Sequence, residues 1–257
     1  MGIDRPFHRC VRAGAGNKYS GFSSWGYILD AGYAKSPAQY VRAYLLIQRD
    51  LERLFEYIEP SDNCLGTHSF RTHELLMRAC IEVEANFKAI LAENVYTPTP
   101  NKSESSNYNM TIYRKIERTH RLSSYKVSLP IWHGSAGVFR PFEAWANGGS
   151  PEWYKAYNHS KHDRLAAFKE ASFESLVSAV AGLLVVLSSQ FRQEDFHAGA
   201  TSLSLEGLDY HEMEPAIGEL FRIEFPSDWP EDEVYAFDWE ALKNHPDRFQ
   251  KLDYDAL

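Results

Sequence analysis

Residues 151–164 read PEWYKAYNHSKHDR, and residues 173–191 read FESLVSAVAGLLVVLSSQF. In the second run Phe173, Leu176, Val177, Val180, Leu183, Leu184, Leu187 and Phe191 leave almost no polar side, and a helix of that kind belongs at the centre of a domain. The first run carries the densest cluster of potentially reactive side chains in the chain. Ser150 and Pro151 read as the N-cap and first residue of a helix. Along it Tyr154, Asn158 and His162 recur every four residues and share a face, while Tyr157, Lys161 and Arg164 follow a neighbouring stripe. Polar groups placed against a core helix are held rigidly, as a reactive site requires.

Two further long helices precede this pair. Ser36-Pro-Ala-Gln39 reads as a capping box. Val41, Tyr44, Leu45, Leu51, Phe55 and Ile58 then follow helical spacing, with Gln48 interrupting the stripe. Pro60 closes that helix. A second helix is predicted over residues 68–93, with Leu76, Ala79, Cys80, Val83, Phe87, Ile90 and Leu91 inward. Glu74, Arg78 and Glu82 fit a ladder of exposed ion pairs, or Arg78 (or Arg71) faces a site between helices.

The connecting segments are of another kind. Thr97-Pro-Thr-Pro-Asn-Lys-Ser-Glu-Ser-Ser106 is a polar linker. Residues 109–121 read as a short basic helix carrying Arg114, Lys115, Arg118, His120 and Arg121. Residues 125–129 alternate and residues 138–142 are aromatic and β-prone, which predicts a hairpin or flap across Pro130 and Gly134. Residues 221–225 alternate like another strand. The expected architecture is therefore mainly α: a four-helix bundle (36–205) with an insert near 95–150 and a small β part. An extended arm (1–35) precedes it, and an irregular acidic segment (206–257) wraps it.

Charge divides the chain. Residues 206–257 hold 15 acidic and 4 basic residues, a balance of −11, whereas the preceding 205 residues stand at +3. A basic body with an acidic tail fits a nucleic-acid binder, and equally a solvated C-terminal lobe. Cys10, Cys64 and Cys80 are scattered, so neither a disulfide framework nor a cysteine zinc site is expected. Residues 1–10 lack the apolar core of a signal peptide. The longest apolar run, 176–187, falls short of the ~20 residues that span a bilayer. A soluble cytoplasmic protein without membrane contact is the expectation.

Several chemistries are disfavoured. Gly14-Ala-Gly16-Asn-Lys18 lacks the preceding strand and the ending of a phosphate loop, and neither GxSxG nor HExxH occurs. His159, His162 and Asp163 could point one way, but a zinc site needs ligands from elsewhere, so no metal or other cofactor is expected. What remains is His162 as an acid/base near neutral pH, Asn158 as an orienting amide, and Lys161 or Arg164 as phosphate contacts. Tyr154, Tyr157 and Arg78 stand near as candidate substrate-binding residues. Such a set can cleave RNA through its own 2′-hydroxyl. The structural alternative has Asn158 and His162 hydrogen-bonded across the bundle, with Lys161 and Arg164 in water.

A helical bundle with Tyr157-Asn158-His-Ser-Lys161-His162 just before its last core helix resembles the HEPN superfamily. That family's motif is Arg, a polar residue (often Asn), three residues and His. Asn158 and His162 match, and Tyr157 stands where the arginine belongs. The resemblance implies a metal-independent endoribonuclease in bacterial stress or phage defence, or an inactive module that binds a protein or a nucleotide. It also implies a homodimer in which the motif helices face each other and one cleft draws on both chains. Trp153, Tyr154 and Tyr157 on the motif helix suit such an interface. If nucleic acid binds, the basic residues Arg114, Lys115, Arg118 and Arg121 make the main contact; against the dimer, the Asp and Glu of the tail could pair with Lys161 and Arg164 and close the cleft to RNA.

Overall fold

The computed structural model describes residues 2–14, 22–196 and 213–257; most of the phosphate-loop-like run at 14–18, and the start of the acidic segment, lie outside them. Four helices dominate: α1 (Pro37–Phe55), α2 (Phe70–Glu93), α3 (Glu152–His162) and α4 (Phe173–Phe191). They form because each carries an apolar stripe at helical spacing, and α4 carries almost nothing else. Its positions 179–191 are all buried. α2 and α4 form the most intimate pair, flanked by α1 on one side and α3 on the other. The mainly α expectation, with a small β part, therefore holds.

α4 is long and apolar enough to cross a membrane by composition, with a mean hydropathy of 1.5, but 83% of that window is buried by the rest of the chain. Packing against α1, α2 and α3 accounts for its character.

Local rules set the helix ends, though not always the expected ones. Ser36 adopts a left-handed backbone (φ 49°) and makes no side-chain cap, so α1 opens on Pro37 without a capping box. α2 has that device instead: Ser69 accepts from the Thr72 amide while the Thr72 hydroxyl accepts from the Ser69 amide. α3 begins at Glu152 after Pro151, and Ser150 is not its cap.

The sheet is small and antiparallel, in the order β2-β1-β4-β3, with β1 Lys126–Ser128, β2 Val138–Phe139, β3 Glu214–Pro215 and β4 Arg222–Glu224. Val127 pairs with Phe139 on one side and Ile223 on the other. The insert and the tail thus share one sheet, as the alternation at 125–129 and 221–225 allows. Its β1–β2 loop is anchored by Asp62, which accepts from Trp132 Nε1 (2.7 Å) and from the Ser135 and Ala136 amides (2.8 and 3.0 Å). These bonds hold the Asp62 carboxyl down at about 2. Gly134 sits in that loop at φ +123°, where a Cβ would lie 2.3 Å from the Asp62 carboxyl carbon, so only glycine fits.

The described part of residues 1–35 is not an arm lying on the surface. Arg9, Cys10, Tyr27 and Tyr33 are completely buried, and Arg9 is tied to α2 through Glu93 and to α4 through Gln190. Tyr27 meets Tyr235, Phe237 and Trp239 edge-on, so the two ends of the chain pack on each other.

One node of this packing gives a pH prediction. His120 is fully buried, its Nε2 donating to the Arg9 carbonyl (2.8 Å) and its Nδ1 facing the Thr119 hydroxyl (2.8 Å), which in turn meets Tyr254 (3.0 Å). Burial pushes this imidazole down to about 4. The unfolded chain therefore binds the proton first, and stability is complete above pH ~6.5 and lost as pH falls toward 4. The loss is on the order of 3 kcal/mol. Glu117, whose carboxyl burial pushes up, opposes it. Urea unfolding between pH 7 and 4 should show the loss, and His120→Asn should flatten it; a wild-type slope equal to the variant's contradicts the assignment.

Candidate functional site

α3 is amphipathic, and its two faces separate the motif residues. Trp153, Tyr154 and Tyr157 are buried against α2 and α4, with the Tyr154 hydroxyl donating to Glu84 Oε1 on α2 (2.9 Å). Burial, reinforced by the negative charge of Glu84, pushes both phenols well above the ordinary tyrosine range. These tyrosines are therefore core residues and not substrate contacts or an aromatic interface, which corrects the expectation for Tyr154, Tyr157 and Trp153. Aromatic rings on a short helix read the same in sequence whether they face a partner or the helix's own bundle.

Asn158 lies half-buried at the boundary and His162 is exposed one turn further on. Among the described residues neither side chain has a hydrogen-bonding partner, so the cross-bundle alternative does not hold. Lys161 donates to the Tyr157 hydroxyl (3.3 Å) and stands over that ring. The helix ends at Asp163, whose side chain caps the following turn by accepting from the Ala166 amide. Arg164 consequently leaves the α3 stripe and lies 5.9 Å from the ring centre of Phe70, the first residue of α2. No carboxylate among the described residues pairs with Lys161 or Arg164. None of the described tail residues is bonded to Asn158, Lys161, His162 or Arg164.

His159 bonds Glu170 through Nδ1 (2.8 Å), and together with Asp163's capping role this takes two of the three potential metal ligands. No group of three His, Cys, Asp or Glu among the described residues converges on a metal position. Nearby His73 has a buried Nε2 without a partner, and burial, with the charge of Arg164, pushes its imidazole down.

The basic segment is spent inside the molecule. Residues 110–120 form successive short helical turns, and apart from the exposed Arg118 their Arg and Lys side chains bond within the molecule. Arg114 donates to the Gly148 carbonyl, Lys115 to the Tyr254 carbonyl (2.9 Å), and Arg121 pairs with Asp228 (2.8 Å). Trp229 is held between the guanidinium groups of Arg12 and Arg121 (5.0 and 5.2 Å). Lys126 pairs with Glu224 and Arg192 with Glu214. Within this segment the acidic tail neutralises Arg121 through Asp228, and among the described residues it pairs with neither Lys161 nor Arg164; Arg118 remains the exposed cation of the expected contact. A large free basic surface at 114–121 is not what the fold presents.

Arg78 pairs with Asp50 across α1 and α2, and Arg71 with Glu74 (2.9 Å), so Glu74, Arg78 and Glu82 do not form a ladder along α2. Both arginines line a cleft of about 680 Å³ between α1 and α2, floored by Leu54, Ile58 and Leu75. Sequence reasoning missed Tyr57, which lines this cleft, and the exposed Phe70 at the start of α2. The available signal was that Phe70 lies off the buried stripe of its own helix.

Comparison of the chain with family models, with curated proteins and with solved structures finds no match.

Proposed function

We propose that this chain is a HEPN-like protein that acts on RNA in the cytoplasm as a metal-independent endoribonuclease, in bacterial stress or phage defence as the resemblance implies. The observation that carries the reading is the open face of α3. Among the described residues Asn158 and His162 make no side-chain hydrogen bond, and no carboxylate pairs with Lys161 or Arg164, which neighbour them along the chain. Unpaired groups at that density are costly to no one and useful to a ligand.

In this reading His162 takes the proton of a 2′-hydroxyl. The freed oxygen attacks the adjacent phosphorus, the bond to the 5′-oxygen breaks, and a 2′,3′-cyclic phosphate forms. The leaving 5′-oxygen takes its proton from water or from a neighbouring imidazolium. Lys161 or Arg164 offsets the charge that builds on the phosphate, the part that the missing motif arginine would play. Asn158 orients the phosphate or the ring of His162. A homodimer with α3 facing α3 would bring in a second Lys161 and Arg164.

One observation favours the other reading, an inactive module that binds a protein or nucleotide: Tyr157, in the place of the arginine, is buried. Incubating the purified chain with labelled RNA in the presence of EDTA decides between them. Wild type is expected to cleave and His162→Ala is not; identical treatment of RNA by both removes the enzyme reading.

A further inference from the structure

The three most exposed large apolar side chains among the described residues are Leu165 (86%), Tyr57 (84%) and Phe70 (69%), and all three gather at one end of the bundle. Phe70 opens α2 and meets Phe168 with ring centres 4.9 Å apart. His68 and His73 pack against the same Phe168 ring (5.7 and 6.0 Å). Leu165 follows Arg164, whose guanidinium stands over Phe70. Tyr57 lies across α2, at the rim of the cleft that Ser69 and Arg71 also line.

Exposing a phenylalanine at a helix start forfeits burial that the fold could have used, and here the exposed rings alternate with cations. Arg164 flanks Phe70 on one side and Arg71 follows it in sequence, with Arg53 and Arg78 further along the cleft wall. Among the residues lining the cleft three arginines meet two carboxylates, Asp50 and Glu74, with Glu82 also within electrostatic reach of Arg78. Aromatic faces interleaved with guanidinium groups match unpaired nucleobases joined by phosphates: a base stacks on a ring of either kind, and the backbone follows the cations. A duplex hides its base faces and cannot use such a surface.

We infer that this end of the bundle is a binding tract for single-stranded RNA, in which a nucleobase stacks on Phe70 beside Arg164 and the neighbouring phosphates run past Arg71 into the α1–α2 cleft. This rests on the proposed function, since Arg164 joins the tract to His162 two residues away, but it names a different set of residues. It also accounts for Arg164 having left the α3 stripe.

The test uses the full chain carrying His162→Ala, so that RNA survives, with fluorescence anisotropy of labelled single-stranded and duplex oligoribonucleotides. Single strands should bind and duplexes should not. Phe70→Ala should weaken single-strand binding about five- to hundredfold, and Phe70→Trp should restore it and report the stacked base by fluorescence quenching. Arg71→Gln should lower the slope of log affinity against log salt by about 0.7. Far-UV circular dichroism confirms that these surface variants are folded.

Equal binding by Phe70→Ala and its parent, or equal affinity for duplex, overturns the tract. So does self-association that Phe70→Ala abolishes without changing RNA affinity, because the patch is then a protein contact. Cleavage by the His162-containing protein that is indifferent to Phe70→Ala sinks the tract and leaves the proposed function standing. Phe70-dependent binding without any cleavage does the reverse. No binding of either strand form by the parent removes both.

Discussion

His162→Ala should lower RNA cleavage by about 10²- to 10⁴-fold, the range that a positioned acid/base contributes. The imidazole is exposed and makes no hydrogen bond among the described residues, so its removal should have little structural consequence to confuse the result. A surface substitution of this kind changes stability by no more than about 0.5 kcal/mol, and an unchanged unfolding midpoint should accompany the lost activity. Asn158→Ala should cost less, up to about tenfold, the net worth of one neutral hydrogen bond. Tyr154→Phe makes the useful contrast. Its hydroxyl bonds Glu84 inside the bundle, so that variant should lose stability and keep its rate per folded molecule. A His162→Ala protein that cleaves as wild type does would leave Asn158, Lys161 and Arg164 without a reaction to serve.

Arg9→Ala should destabilise the fold by about 3–5 kcal/mol, the cost of stranding one half of a buried ion pair. The guanidinium has no exposed surface and each of its nitrogens is used. Nε donates to Glu93 (2.7 Å), one terminal nitrogen to Gln190 (2.8 Å) and the other to the Lys35 carbonyl (2.6 Å). The rings of Tyr40 and Phe191 lie 4.7 and 5.5 Å from it. Without Arg9 the Glu93 carboxylate keeps, among the described residues, the Lys35 amide as its hydrogen-bond donor, and Gln190 loses the donor to its carbonyl oxygen. Arg9→Lys should fall between, because an ammonium carries the charge but not the planar fork that reaches three directions at once. Urea unfolding at pH 7 gives both numbers; a loss below about 1 kcal/mol for Arg9→Ala would mean that residues 1–35 are a surface arm after all.

That second result bears on how much of this protein a reader of its sequence can know. α1, α2 and α4 are legible because their apolar residues recur at helical spacing within one segment. The alternation at 125–129 and 221–225 marks β1 and β4 for the same reason. The cluster at 154–164 is also visible as composition, and its Asn158–His162 spacing is fixed by the helix. Which way that helix turns is not: Tyr154 and His162 share a stripe in the sequence, yet one bonds Glu84 in the core and the other stands in solvent. Eight residues turn a 3.6-residue helix about 80° past the starting direction, and which of those directions faces the core depends on how the helix packs on α2 and α4.

The remaining decisions belong to contacts between residues far apart in the chain. Arg9 meets Gln190, Arg121 meets Asp228, Lys115 meets Tyr254, and Tyr57 reaches the same end of the bundle as Leu165. None of these pairs leaves a period or a motif, because nothing local constrains either member. Sequence alone therefore determined the long helices α1, α2 and α4, the strands β1 and β4, and the polar cluster at 154–164 as composition. Only the tertiary structure decided which charges the acidic tail would neutralise and which would stay free, because that depends on where the two ends of the chain come to rest.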